Sequence, residues 1–179
     1  CLLTGIVTDT LCFRTSNTTP ATLEAAMRLQ EAGANLSLIV QRTLNRMPFS
    51  TLRLWAAVLP NVHLEGGVLW AVIRREQLDA VGQSSDESKL NTIFSTIIEA
   101  DISAVFTEKI GKSGRAAVEC SFRAKPGFSV AELALSFGGG GHPAASGCTV
   151  EGTPEEVVAQ VVPALQATRR RQAGANLSA

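Results

Sequence analysis

Four consecutive glycines, Gly138 to Gly141, followed at once by His142-Pro143-Ala144-Ala145-Ser146-Gly147, restrict this chain more than any other stretch. Without a Cβ over four positions the segment adds nothing to a hydrophobic core and disfavours a helix. It belongs where backbones pass close together, where the chain turns, or where bare amides meet a ligand. Apolar spacing at residues 129–137 predicts a helix feeding the run, and a short strand is expected at 148–150 beyond it. Glycine clusters usually mark flexible turns, yet a flexible linker seldom sits between two ordered apolar segments. Bare amides with an imidazole behind them also suit a phosphate oxygen. Both readings stay open on these residues, and His142 is equally a hydrogen-bonded core histidine or a ligand contact.

Composition narrows the classes. The chain has 179 residues, 45% of them hydrophobic, enough for one sizeable domain or for a small domain carrying part of another. Sixteen basic residues balance sixteen acidic ones, so no global field favours a nucleic-acid coat or an anionic membrane. A polyanion would need a local basic site. Cys1, Cys12, Cys120 and Cys148 are scattered, with no Cys-x-x-Cys pair, and read as reduced intracellular thiols rather than a zinc site. Apolar runs such as residues 68–73 are too short to span a bilayer, and the first residues lack a signal-peptide pattern. A cytoplasmic protein without membrane partners is expected.

Along the chain, residues 1–7 read as an apolar strand of an α/β sheet, buried on both faces. Such a strand needs neighbours, so an earlier part of its domain is expected upstream. Asp9 then falls at the strand's carboxyl end, where open α/β sheets place ligand-binding residues. Thr19 and Pro20 open a helix that Gly33 stops, and further helices are expected over 37–46 and 49–59, the latter between Pro48 and Pro60 as a connector. From residue 61 strands take over. Residues 62–65 and 68–74 flank the two-residue turn Gly66-Gly67. Short helices are expected at 76–81 and 88–99, and strands at 102–109 and 115–125 form a second hairpin across residues 111–114. Val118, Cys120 and Phe122 share one face, which leaves Glu119, Ser121 and Arg123 on the other. A capping box at Thr153 to Glu156 opens the last helix, and Arg169-Arg170-Arg171 onward reads as a polar tail.

Three side chains stand out as candidates. Asp9 is either a turn residue or cap, or an oxygen ligand for magnesium or manganese, although one carboxylate does not make a metal site. Arg123 is either a solvated strand residue or a bidentate phosphate contact, and Lys125 divides in the same way. His63 is assigned to structure.

Together these residues resemble a known family. Gly138 to Gly147 is similar to the G-G-G-H-x-x-A-x-G signature of the DHHA1 domain. Gly5-Ile6-Val7-Thr8-Asp9-Thr10, with the segment from Phe13 to Pro20, resembles the end of the DHH phosphoesterase domain. Order and separation, with Ser121-Phe122-Arg123-Ala124-Lys125 ahead of the glycines, resemble the branch of bacterial oligoribonucleases and pAp phosphatases. The resemblance implies an α/β fold: a DHHA1-type mixed β-sheet flanked by helices (61–171, then a tail at 172–179), preceded by a strand-helix remnant of a DHH domain (1–47) and a connector helix (48–60).

It also implies metal-assisted hydrolysis of short oligonucleotides or pAp by an enzyme with two manganese ions. Asp9 would match the last metal-binding aspartate, catalytic in that sense. Arg123, Gly139, Gly140, Gly141 and His142 would match substrate-binding positions. No Asp-His-His motif and no upstream Asp-x-Asp accompany Asp9, so the chain is expected to be a C-terminal piece, inactive alone, whose partners are the missing DHH lobe and a nucleotide substrate. Homo-oligomerisation stays open. The alternatives are a nucleic-acid-binding module of the RecJ or tRNA-synthetase type and a cyclic-dinucleotide phosphodiesterase.

Overall fold

A computed structural model describes residues 1–15, 17–82, 88–111 and 114–176. It divides into two compact units, Cys1–Met47 and Pro48–Ala179.

The first unit is helical: α1 (Leu2–Asp9), α2 (Pro20–Glu31) and α3 (Leu36–Thr43). The strand expected over residues 1–7 is therefore corrected to a helix, and the expected strand-helix remnant to three helices. Burial explains why. Leu3 and Val7, four residues apart, are the buried pair of α1, a helical rather than an alternating period, and they join Ala26 in a small core edged by Leu29, Leu36, Ile39 and Val40. A short apolar run is ambiguous between strand and helix until its neighbours are known. The start of α2 follows its sequence signals: Thr19 and Thr22 cap each other's backbone amides and Pro20 takes the first helical position. Gly33 follows with φ +94°. Ser16 lies outside the described residues.

The second unit is a mixed six-stranded sheet flanked by helices. Its strands are β1 (His63–Glu65), β2 (Val68–Ile73), β3 (Ile102–Ile110), β4 (Ala116–Ala124), β5 (Gly140–His142) and β6 (Ala145–Glu151), in the order β1-β2-β3-β4-β6-β5. Among the described residues only β2 and β3 pair in parallel, and every other neighbour is antiparallel. The helices are α4 (Phe49–Val58), α5 (Arg75–Val81), α6 (Ser88–Phe94), α7 (Ala131–Ser136) and α8 (Pro154–Asn176). Both hairpins predicted from the glycine turns are present, although residues 112 and 113 of the second turn lie outside the described residues. His63 stacks on Trp70, its partner across the first hairpin, with ring centroids 5.3 Å apart.

The two faces of this sheet are covered differently. On one, Val68, Trp70, Ala104, Phe106, Val118, Cys120, Phe122 and Cys148 pack against α7 and α8. On the other, Leu54 and Val58 of α4 with Leu90 and Phe94 of α6 cover Leu69, Ala71, Ile73 and Val105 of β2 and β3. Helix α4, expected as a connector, thus contributes to the core of the second unit. The second core draws nothing from β4, β6 or β5 among the described residues; on this face those strands carry the exposed or half-buried Glu119, Ser121, Arg123 and Thr149.

Two further expectations are corrected. The helix predicted over 88–99 ends at Phe94, and Ile98, placed on its apolar face, is 87% exposed. The expected polar tail is the last part of α8, which runs to Asn176. There Arg169 donates from Nε to Asp101 Oδ2 at 2.7 Å, and Gln172 brackets Ser129 by accepting from its amide and donating to its carbonyl. A polar sequence was legible there, but its partners lie far away in the chain.

Candidate functional site

The glycine run is ordered backbone rather than a loose turn. Helix α7 ends in a Schellman motif: the Gly139 amide donates to the Ala134 carbonyl at 2.8 Å, the Gly138 amide to Leu135 at 3.0 Å, and Gly138 has φ +74°. The chain then enters β5 against β6. A Cβ on Gly139 would lie 2.1 Å from the Gly147 carbonyl oxygen, and one on Gly141 2.6 Å from that of Ala145. One on Gly147 would lie 2.7 Å from the Cys120 carbonyl oxygen. Gly140 alone of the four has both an ordinary φ and open space around its missing side chain. The amides of Gly138 and Gly139 already serve the end of α7, which removes them as donors to a phosphate.

The register then assembles the candidates of this unit. Ser103, Arg123, Ala145 and His142 form one row across β3, β4, β6 and β5. Directly paired residues project to the same side, so Arg123 and His142 share one face of the sheet, two strands or about 10 Å apart. His142 is exposed and Arg123 half-buried. Arg123 donates to the Phe122 carbonyl at 2.9 Å, and burial pulls its pKa down. No carboxylate pairs with it among the described residues. A desolvated guanidinium without a counter-ion gains from an anion, which would return what burial has removed.

Neighbouring cations are engaged otherwise. Lys109 pairs with Glu119. Lys125, weighed as a phosphate contact, donates to the carbonyls of Ile97 at 2.5 Å and Ile98 at 3.1 Å, so it anchors the turn after α6.

Beside the row lies an open groove of about 520 Å³, lined by Glu119, Ser121, Gly138, Gly139, Gly147 and Thr149 among others. Behind Ser121 of that lining stands a buried group the sequence reading passed over. Asn91 of α6 reaches across to Ser121 of β4 and Ser103 of β3. The available signal was an asparagine set between Leu90 and the apolar residues that follow on a helix too short to waste a buried position.

Asp9 belongs to the first unit. It is the last residue of α1 rather than the end of a strand; its carboxylate is exposed and accepts from Asn17 Nδ2 at 2.8 Å. Three consecutive residues after it, Leu11, Cys12 and Phe13, have positive φ, a costly conformation for side chains of this size. Amides of this turn bond back to Thr10 and Val7. No group of three or more His, Cys, Asp or Glu that could hold a metal occurs among the described residues. A pair of manganese ions therefore does not fit the residues described here by themselves.

Comparison with known proteins decides the family. The model of the DHHA1 domain matches residues 70–170, from β2 to α8. The chain belongs to the DHHA1 family. The chain is 36% identical over 152 residues to the bifunctional oligoribonuclease and PAP phosphatase NrnA of Thermus thermophilus, covering 84% of this chain and 44% of that protein. The NrnA of Mycoplasma genitalium is 27% identical over 161 residues, covering 90% and 48%. The chain thus spans about half the length of these curated relatives. An exopolyphosphatase-related protein from Bacteroides fragilis shares the fold, with a TM-score of 0.78 at 24% identity over 93% of this chain and 48% of that one. A pGpG-specific phosphodiesterase, PggH, from Vibrio cholerae superposes with a TM-score of 0.52 at 15% identity, over 96% and 55%. No helix among the described residues is long and apolar enough to cross a membrane.

Proposed function

We propose that this chain holds the nucleotide end of a short oligonucleotide or of pAp for a metal-dependent phosphoesterase, and that the face of β4, β6 and β5 carrying Arg123 and His142 is where it does so. The single observation behind the reading is the row that puts Arg123 and His142 on one face, the arginine half-buried without a carboxylate partner among the described residues. Arg123 would grip a phosphate through its planar fork, and His142 would donate to or accept from the same nucleotide. Gly139, Gly141 and Gly147 would serve by bringing β5 and β6 close enough to complete the surface, and Gly140 by leaving space above it. The relatives of known name are an oligoribonuclease and PAP phosphatase, which suggests the substrate class.

Asp9 is proposed as one ligand of a manganese site whose remaining ligands lie outside the described residues. On that reading the chain by itself binds nucleotide but does not hydrolyse it. Calorimetric titration of the purified chain with pAp, a dinucleotide and a long single-stranded RNA tests this. Saturable binding of the small ligands is expected, weakened at least about tenfold in Arg123→Ala and in His142→Ala, with unchanged melting temperatures and no product released on adding manganese. Tight, steeply salt-dependent binding of the long RNA with none of pAp would favour a nucleic-acid-binding module instead. Manganese-dependent turnover by the chain alone would overturn its assignment as only the substrate-holding part.

A further inference from the structure

Asn91 has no exposed surface and lies beside Leu90 in the core beneath α4 and α6. Its Nδ2 donates to the Ser121 carbonyl oxygen at 2.7 Å and to Ser121 Oγ at 3.2 Å, while its Oδ1 accepts from Ser103 Oγ at 2.7 Å. Chemistry sets the orientation of the amide, because a carbonyl oxygen can only accept and must face the NH2 group. Ser121 Oγ is thereby an acceptor towards Asn91, and its one proton is left to donate elsewhere. Ser121 sits two residues before Arg123, on the same face of β4, and lines the groove beside Gly138 and Gly147. The amide accepts from the buried Ser103 hydroxyl and, through its NH2 group, fixes the hydrogen-bonding role of Ser121 as well.

We infer that Asn91 is a positioning residue: by holding Ser121 Oγ as an acceptor it turns the Ser121 hydroxyl proton into the groove, where it donates to a phosphate oxygen of the nucleotide that Arg123 holds. The inference rests on the reading of this face as the nucleotide site. A phosphate oxygen is the fitting partner because it only accepts, and a hydroxyl donor beside a guanidinium offers it complementary contacts from one strand.

The test is a double-mutant cycle read by calorimetric binding of pAp and of adenosine, which lacks phosphate. Asn91→Asp keeps the size of the side chain and the acceptor for Ser103 but loses both N–H donors. Ser121→Ala and Asn91→Asp are each expected to weaken pAp binding about tenfold while leaving adenosine binding unchanged. Ser121→Thr should restore pAp affinity, and the double variant should bind no more weakly than Ser121→Ala. A merely structural asparagine would lower affinity for both ligands and add its effect to that of Ser121→Ala, which overturns the inference. Ser121→Ala decides independently of whether Asn91→Asp folds, since unchanged pAp affinity in it also overturns the inference. A wild-type chain that binds no pAp removes the nucleotide site and the inference together, whereas wild-type binding with an unaffected Ser121→Ala removes the inference alone.

Discussion

Gly139 is the position where a side chain has least room. The Gly147 carbonyl oxygen and Cys148 Cβ occupy the place of its Cβ, at 2.1 and 2.5 Å, and both belong to the neighbouring strand, which cannot retreat without breaking the β5–β6 pairing. Gly140, one residue on, meets nothing within 4 Å. The pair makes a sharp contrast. Gly139→Ala is expected to destabilise the second unit by roughly 3 kcal/mol and Gly140→Ala by no more than ~0.5 kcal/mol, read as a shift in urea midpoint. A Gly140→Ala variant that keeps its stability but binds pAp more weakly would show that this glycine is there for the ligand. A single residue letter cannot make the distinction, since all four glycines read alike. Side-chain identity did suffice at Arg123, whose place in the alternation of β4 put it opposite Phe122 and Cys120.

At the scale of elements, the legible ones carried their own punctuation. The hairpin at Gly66-Gly67, the proline start of α2 and the capping box before α8 all appear where local chemistry requires them. In that box the Thr153 amide donates to Glu156 Oε2 at 2.9 Å, and the Glu156 amide donates to Thr153 Oγ1 at 3.3 Å. The failures are elements whose identity depends on distant partners. Helix α1 is an apolar, β-branched stretch that a sheet would also accept, and helices α2 and α3 decide the matter. The end of α8 is basic and polar, and Asp101, just before β3, receives Arg169 from it. Arg169 also lies where a Cβ on Gly67 would be, so the tight turn and the helix accommodate one another. Arg169→Ala should cost about 1 kcal/mol, the value of a partly exposed charged pair, seen in chemical unfolding. The Asp101→Asn and Arg169→Ala losses should be less than additive if the pair is what matters.

For the whole molecule, two units with separate cores imply two stabilities. The first unit has 47 residues and, among the described ones, three buried apolar side chains, Leu3, Val7 and Ala26, and domains this small seldom hold together without help. The second has layers on both faces of a six-stranded sheet. Hydrogen exchange should show amides of α1, α2 and α3 exchanging through openings of much lower free energy than those of β3 and β4. Uniform protection across both units would refute that division.

The sequence by itself determined the mixed α/β character of the longer unit, its hairpins, the outward face of β4 and the family, because turn chemistry, strand alternation and a dense glycine-histidine motif are encoded within a few residues. Only the tertiary structure decided that Arg123 and His142 share a row, that Gly138 and Gly139 amides are taken by α7, and that Cys120 and Cys148, scattered in sequence, are register partners. It also decided that Asn91 meets Ser121, thirty residues away. The physical reason is common to all of these. Cross-strand register and the packing of helices on both sheet faces join residues far apart in the chain, and no local pattern specifies which side chains end on one surface.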